Sequence, residues 1–108
     1  MPGLAPEHGL RLWKNPADYR RYLRTFASHY GDGSTLIDFG DPPGASQFAR
    51  TLKGIANSLG LHEVATAARR LELALDAAPP AGIETLAEAQ ETLRTALAVA
   101  LYSIARYA

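Results

Sequence analysis

Between its proline and glycine breaks, this chain of 108 residues repeats apolar side chains every three to four positions and nowhere every second one. That spacing specifies amphipathic helices and argues against half-buried strands. Asn15-Pro16-Ala17-Asp18 forms a helix start: Asn15 caps, Pro16 suits the first helical position and Asp18 completes a capping-box pattern. Tyr19, Tyr22, Leu23, Phe26 and Tyr30 follow on one face until Gly31-Asp32-Gly33 breaks the helix. Asp41, a cap for the next helix, precedes Pro42-Pro43, and Ala45, Phe48, Leu52, Ile55 and Leu59 then share a face up to Gly60. Leu61, Val64, Ala65, Ala68, Leu71 and Leu75 form a third stripe ended by Pro79-Pro80. Leu86, Gln90, Leu93, Leu97, Leu101 and Ile104 form a fourth. The pattern predicts helices over residues 16–30, 42–59, 62–78 and 83–106, with Ser34–Phe39 either a short helical turn or a continuation of the first helix. The fold class is all-α, an antiparallel up-and-down four-helix bundle with a short N-terminal helical segment near Leu10–Trp13. Residues 1–9, rich in proline and glycine, read as a flexible N-terminal segment, and residues 10–108 as the bundle.

Composition narrows the function. A chain of this length is one domain with one modest core. It has no cysteine, so thiolate chemistry and disulfides are excluded and a reducing compartment is expected. Three histidines without cysteine argue against zinc, and no metal or other cofactor is expected. Lysine plus arginine and aspartate plus glutamate number 11 each, which gives no electrostatic footprint for nucleic acid. No run is long and apolar enough for membrane insertion. The charges are unevenly spread: Arg11, Lys14, Arg20, Arg21, Arg24, Arg50 and Lys53 come early, and Glu84, Glu88 and Glu91 come late.

The second helix is the informative one. With Arg50 at zero on a wheel of about 100° per residue, Lys53 falls near 300°, Asn57 near 340° and Gly54 near 40°. Phe48, Leu52, Ile55 and Leu59 lie around the opposite side, so the first group turns outward together. A glycine in a helix interior costs about 1 kcal/mol against alanine. On a solvent face no packing within the bundle calls for it, and close approach by another body does. Ser46 and Ser58 keep the flanks of this face low.

The order Arg50-Thr51-Leu52-Lys53-Gly54, then Leu59-Gly60 and Leu71-Glu72, resembles the core motif of histidine-containing phosphotransfer domains. In that family the pattern is His, one residue, Leu-Lys-Gly, a Leu-Gly pair and a distal Leu-Glu. Gly9-Leu10 with Asn15, Tyr19, Leu23 and Phe26 resembles the family's opening, so the likeness spans about residues 9–76. It implies a bacterial, cytoplasmic component of two-component phosphorelay signalling. The implied partner is a response-regulator receiver domain or a hybrid sensor kinase. Arg50 holds the phosphoacceptor position, Lys53 the adjacent lysine and Gly54 the glycine that admits the receiver. Asn57 and Ser58 match the small or polar residues one turn on.

The departure at position 50 decides the chemistry. Histidine offers an unprotonated ring nitrogen near neutral pH. Arginine stays protonated and is no nucleophile, but its fork of donors suits carboxylates and phosphate. The expectation is therefore a non-enzymatic, degenerate phosphotransfer domain that docks on a receiver or kinase without carrying the phosphoryl group, and a monomer. One alternative is an active transfer domain whose native histidine is replaced here; another is a structural bundle for dimerisation or tethering. His8, His29 and His62 stand out of register with the motif and read as surface or capping residues. Glu72 falls near the apolar stripe of its helix, needs donors and reads as structural.

Overall fold

The computed structural model describes residues 3–31, 42–77 and 82–108. They form α1 (Pro6–Leu12), α2 (Pro16–Tyr30), α3 (Pro42–Leu59), α4 (His62–Asp76) and α5 (Ile83–Tyr107), with no strand among the described residues. The four longer helices fall where the periodicity puts them; α4 ends at Asp76 rather than 78. The Ser34–Phe39 segment, the Asp41 cap and Pro79-Pro80 lie outside the described residues. α3 and α4 form a tightly packed antiparallel hairpin, α5 lies beside α4, and α2 closes the bundle against α5 and α3. At about 1.5 Å per residue the 25 residues of α5 extend about 37 Å, most of the 44 Å long axis of the molecule.

The end of α3 organises one end of the bundle. A helix leaves its last four carbonyls without intrahelical partners, and here all four are satisfied. The Leu61 amide donates to Ala56 O (2.8 Å) and the Gly60 amide to Asn57 O (3.3 Å), the paired bonds of a Schellman turn. Gly60 takes the left-handed φ of +79° that this turn requires. Trp13 Nε1 donates to Ser58 O (2.9 Å), and the Tyr19 hydroxyl to Leu59 O (2.6 Å). The Ala5 amide then donates to Gly60 O (2.8 Å).

This arrangement changes the reading of the N-terminal end. Of the segment 1–9 expected to be flexible, residues 3–9 are packed: Leu4 is buried, and α1 starts at Pro6 and crosses the end of α3. A Cβ on Gly60 would run into the Ala5 carbonyl oxygen, and one on Gly9 into the Tyr19 ring. Tyr19, on the apolar face of α2, is fully buried. At the start of α2, Asn15 Oδ1 accepts from the Ala17 amide as expected (2.9 Å), whereas Asp18 pairs with Arg21 (3.2 Å).

The stripes hold with one rotation. Tyr19, Leu23, Phe26 and Tyr30 of α2 are buried, while Tyr22 is exposed and lies against Trp13. In α3 the buried apolar residues are Ala45, Ala49, Leu52, Ala56 and Leu59; Phe48 is half-buried and Ile55 is 36% exposed. The buried face is centred about 70° round from the Phe48–Ile55 side. Alanines at 49 and 56 let α3 sit close to α4, and that close contact outweighs burying the larger Ile55.

Leu52 is fully buried, so Leu52→Ala is expected to cost about 2–5 kcal/mol in a urea melt. Burial, reinforced by the nearby Tyr107 and Glu7, pushes the Tyr19 hydroxyl from 10.0 up to about 12. A raised value favours the folded state fully below the unfolded pKa, and that contribution fades as pH rises through the folded one. Stability is therefore expected to fall between about pH 10 and 12. Tyr19→Phe should remove this part of the alkaline slope in melts followed by circular dichroism.

Candidate functional site

The α3–α4 hairpin turns at Gly60-Leu61, so residues equally far from the turn meet across it. Arg50 and Glu72 are such a pair, and Ser46 and Asp76 another. Arg50 Nε donates to Glu72 Oε2 at 2.7 Å, and Lys53 Nζ donates to Glu72 Oε1 at 2.8 Å. Arg50 Nη2 lies 4.0 Å from Asp76 Oδ2, and Ser46 Oγ donates to Asp76 Oδ1 at 2.9 Å. The Glu72 side chain is only 10% exposed, against 58% for Arg50 and 30% for Lys53. A carboxylate this covered needs charge-assisted donors, and the two cations of α3 supply one to each oxygen. The hydrogen bonds from Lys53 and Arg50 hold the Glu72 carboxyl below its ordinary value of 4.5. The bond to Glu72 in turn pushes the Arg50 guanidinium up, so it remains a cation throughout the accessible pH range.

Two cations meeting two carboxylates leave this seam electrically balanced. Arg50 spends its Nε–H on Glu72 and keeps its terminal amino groups toward solvent, apart from the long approach to Asp76. Round the helix from the seam, Gly54 is exposed and a Cβ built on it would meet nothing within 4 Å. Asn57 is exposed beside it, and Ile55 opens beyond. Ser58 is half-buried, its hydroxyl donating to Ile55 O within the same helix (2.7 Å). The structure thus brings Arg50, Lys53, Gly54 and Asn57 onto one accessible strip, with Ser58 tied down at its edge.

Glu72, expected to be structural, and Arg50, expected to face outward, are thus partners of each other. The signal was present: Ser46, Arg50 and Lys53 on α3 mirror Glu72 and Asp76 on α4 about a two-residue turn. The histidines stand elsewhere. His8 and His62 meet edge to face with ring centres 4.5 Å apart, and His29 packs on Tyr30. Among the described residues no group of three or more His, Cys, Asp or Glu is placed to hold a metal ion, and no helix is long and apolar enough to cross a membrane.

No family model, no curated protein and no solved structure matches this chain.

Gly54 and Glu72 give opposite predictions. Gly54→Ala is expected to stabilise the fold by up to about 1 kcal/mol in thermal melts, because the helix gains propensity and loses no space. Glu72→Gln should lower the melting temperature at neutral pH. A depressed carboxyl stabilises the fold fully above its unfolded value and loses that contribution as pH falls through the folded one. The variant should therefore lack part of the parent's stability loss below about pH 4.5.

Proposed function

We propose that this chain is a degenerate histidine-phosphotransfer domain of a two-component phosphorelay. It binds a receiver domain, free or within a hybrid sensor kinase, through the Arg50–Gly54–Asn57 strip and does not carry the phosphoryl group. The observation that carries the reading is Gly54. It sits in the interior of an 18-residue helix, open to solvent, where nothing in the bundle requires a glycine. Its helix-propensity cost persists without an internal return, as expected of a surface that another protein must approach closely. The residue one turn before it, Arg50, is held by Glu72 in a fixed pose with guanidinium donors left over.

The chemistry of Arg50 supports docking without relay. A protonated guanidinium has no lone pair to attack phosphorus, and pairing with a carboxylate makes deprotonation harder still. What remains is recognition of carboxylate or phosphate oxygens by its outer donors. Because Glu72 and Asp76 offset the charges of Arg50 and Lys53, steering by bulk charge is weak. Shape around Gly54 then contributes more than charge.

Two measurements test this reading. In titration calorimetry against a panel of receiver domains, Gly54→Trp and Asn57→Trp are each expected to weaken binding at least about tenfold, the loss of a central contact. Neither side chain supports the fold, so unchanged binding would remove this strip as the interface. In the second, the chain is incubated with a receiver charged by labelled acetyl phosphate. The unaltered chain should take no label, and Arg50→His should take it in an acid-labile form. Acid-labile label on the unaltered chain would overturn the claim that it carries no phosphoryl.

A further inference from the structure

On the flank of α4 opposite the Arg50–Glu72 seam, α4 and α5 leave a groove of about 800 Å³. Its floor is small and largely apolar, with Ala67, Ala96 and Val99. The outer face of α5 that borders it has a graded character. Glu84, Glu88 and Glu91 occupy its first turns, Thr92 and Thr95 its middle, and Tyr102 and Arg106 its end. Tyr102 is 61% exposed, and Arg106 Nη1 donates to its hydroxyl at 2.7 Å. Among the described residues, neither Glu84 nor Glu88 nor Arg106 makes an ion pair.

We propose that this face binds a second copy of the chain, with the two α5 helices antiparallel about a two-fold axis at Thr95. The charge pattern selects that occupant. Glu84 and Arg106 stand equally far from Thr95, and so do Glu88 and Tyr102. Antiparallel apposition therefore sets each acidic end against the partner's Tyr102–Arg106 end and gives two equivalent Glu84–Arg106 pairs. Small side chains at 92, 95, 96 and 99 fall at the centre, where the helices come closest. A two-fold interface must be self-complementary, and a face graded from acidic to basic about a small neutral centre meets that condition. Parallel apposition would set like charges together.

The dimensions suit a modest dimer. From Glu84 to Arg106 the helix spans about 33 Å. With α4 alongside at 8–10 Å, the contact is on the order of 600 Å² per copy, the low end for a specific interface. The dimer is thus expected to be concentration-dependent. The strip around Gly54 remains free in it, because it lies on the other flank of α4.

Sedimentation equilibrium from low micromolar to about 1 mM chain tests the proposal, a range that captures weak association. Reversible dimerisation is expected. Glu84→Lys and Arg106→Glu should each raise the dissociation constant at least about tenfold, and the double exchange should restore it, because the pair re-forms with its charges swapped. Thr95→Arg should abolish association by crowding two side chains at the axis. Melting curves of the variants exclude misfolding, since all three positions are exposed. A chain that stays monomeric throughout would overturn the proposal and leave the groove to a helix of another protein. A dimer indifferent to Thr95→Arg, or not rescued by the double exchange, would overturn it as well.

Discussion

The last turn of α3 is where this bundle is tied together. Four carbonyls end there without helical partners, and three parts of the chain take them between them. Two go to the Gly60-Leu61 turn, which fixes the direction of α4. One goes to Trp13 after α1 and one to Tyr19 in α2, which brings both helices against the same end. Ala5 completes the set on Gly60. An unpaired buried carbonyl is costly, so the alternatives are either this set of contacts or a frayed helix end. The left-handed glycine is indispensable because a side chain there would be strained and would also displace Ala5.

The second constraint follows from the first. Once the turn fixes the hairpin register, Glu72 stands against Arg50 and Lys53, and the three settle the rotation of α3. Its alanines face α4, and Gly54, Asn57 and Ile55 face out. The paired carboxylate and the close-packed alanines together set which side of α3 carries the candidate docking strip. Position 50 joins two arrangements: its Nε–H pairs with Glu72 and its outer donors face solvent. An arginine here stabilises the seam and offers no lone pair for nucleophilic attack.

Much of this was legible in the sequence, for physical reasons. Helix limits are written in local chemistry: Asn15-Pro16 at a start, Gly31 and Gly60 at ends. Long apolar periodicity marked Leu23, Leu52, Leu71, Leu93 and Leu97 as core. The rotation of α3 was not legible in the same way, because a wheel weighted by Phe48 and Ile55 undervalues Ala49 and Ala56, whose merit is closeness rather than size. The packing of residues 3–9 was also hidden. Its proline and glycine content is that of a loose end, and its partners, Gly60 and Tyr19, are distant in sequence. Glu72 could be read as needing donors, but naming them required the register set by the turn. At the candidate site, the exposure of Gly54 was legible because it depends on one helix alone. The pairing of Arg50 was not, because it depends on two.

The central claim is that the outward strip of α3, set by the Glu72 clamp, is a protein-docking surface. Amide chemical-shift mapping of the isotopically labelled chain during titration with a receiver domain tests it most directly. The account predicts shifts concentrated at Arg50, Lys53, Gly54, Asn57 and Ser58, with the α4–α5 groove undisturbed. Shifts confined to residues such as Thr66, Arg70, Glu88 and Thr95, with Gly54 unmoved, would contradict it.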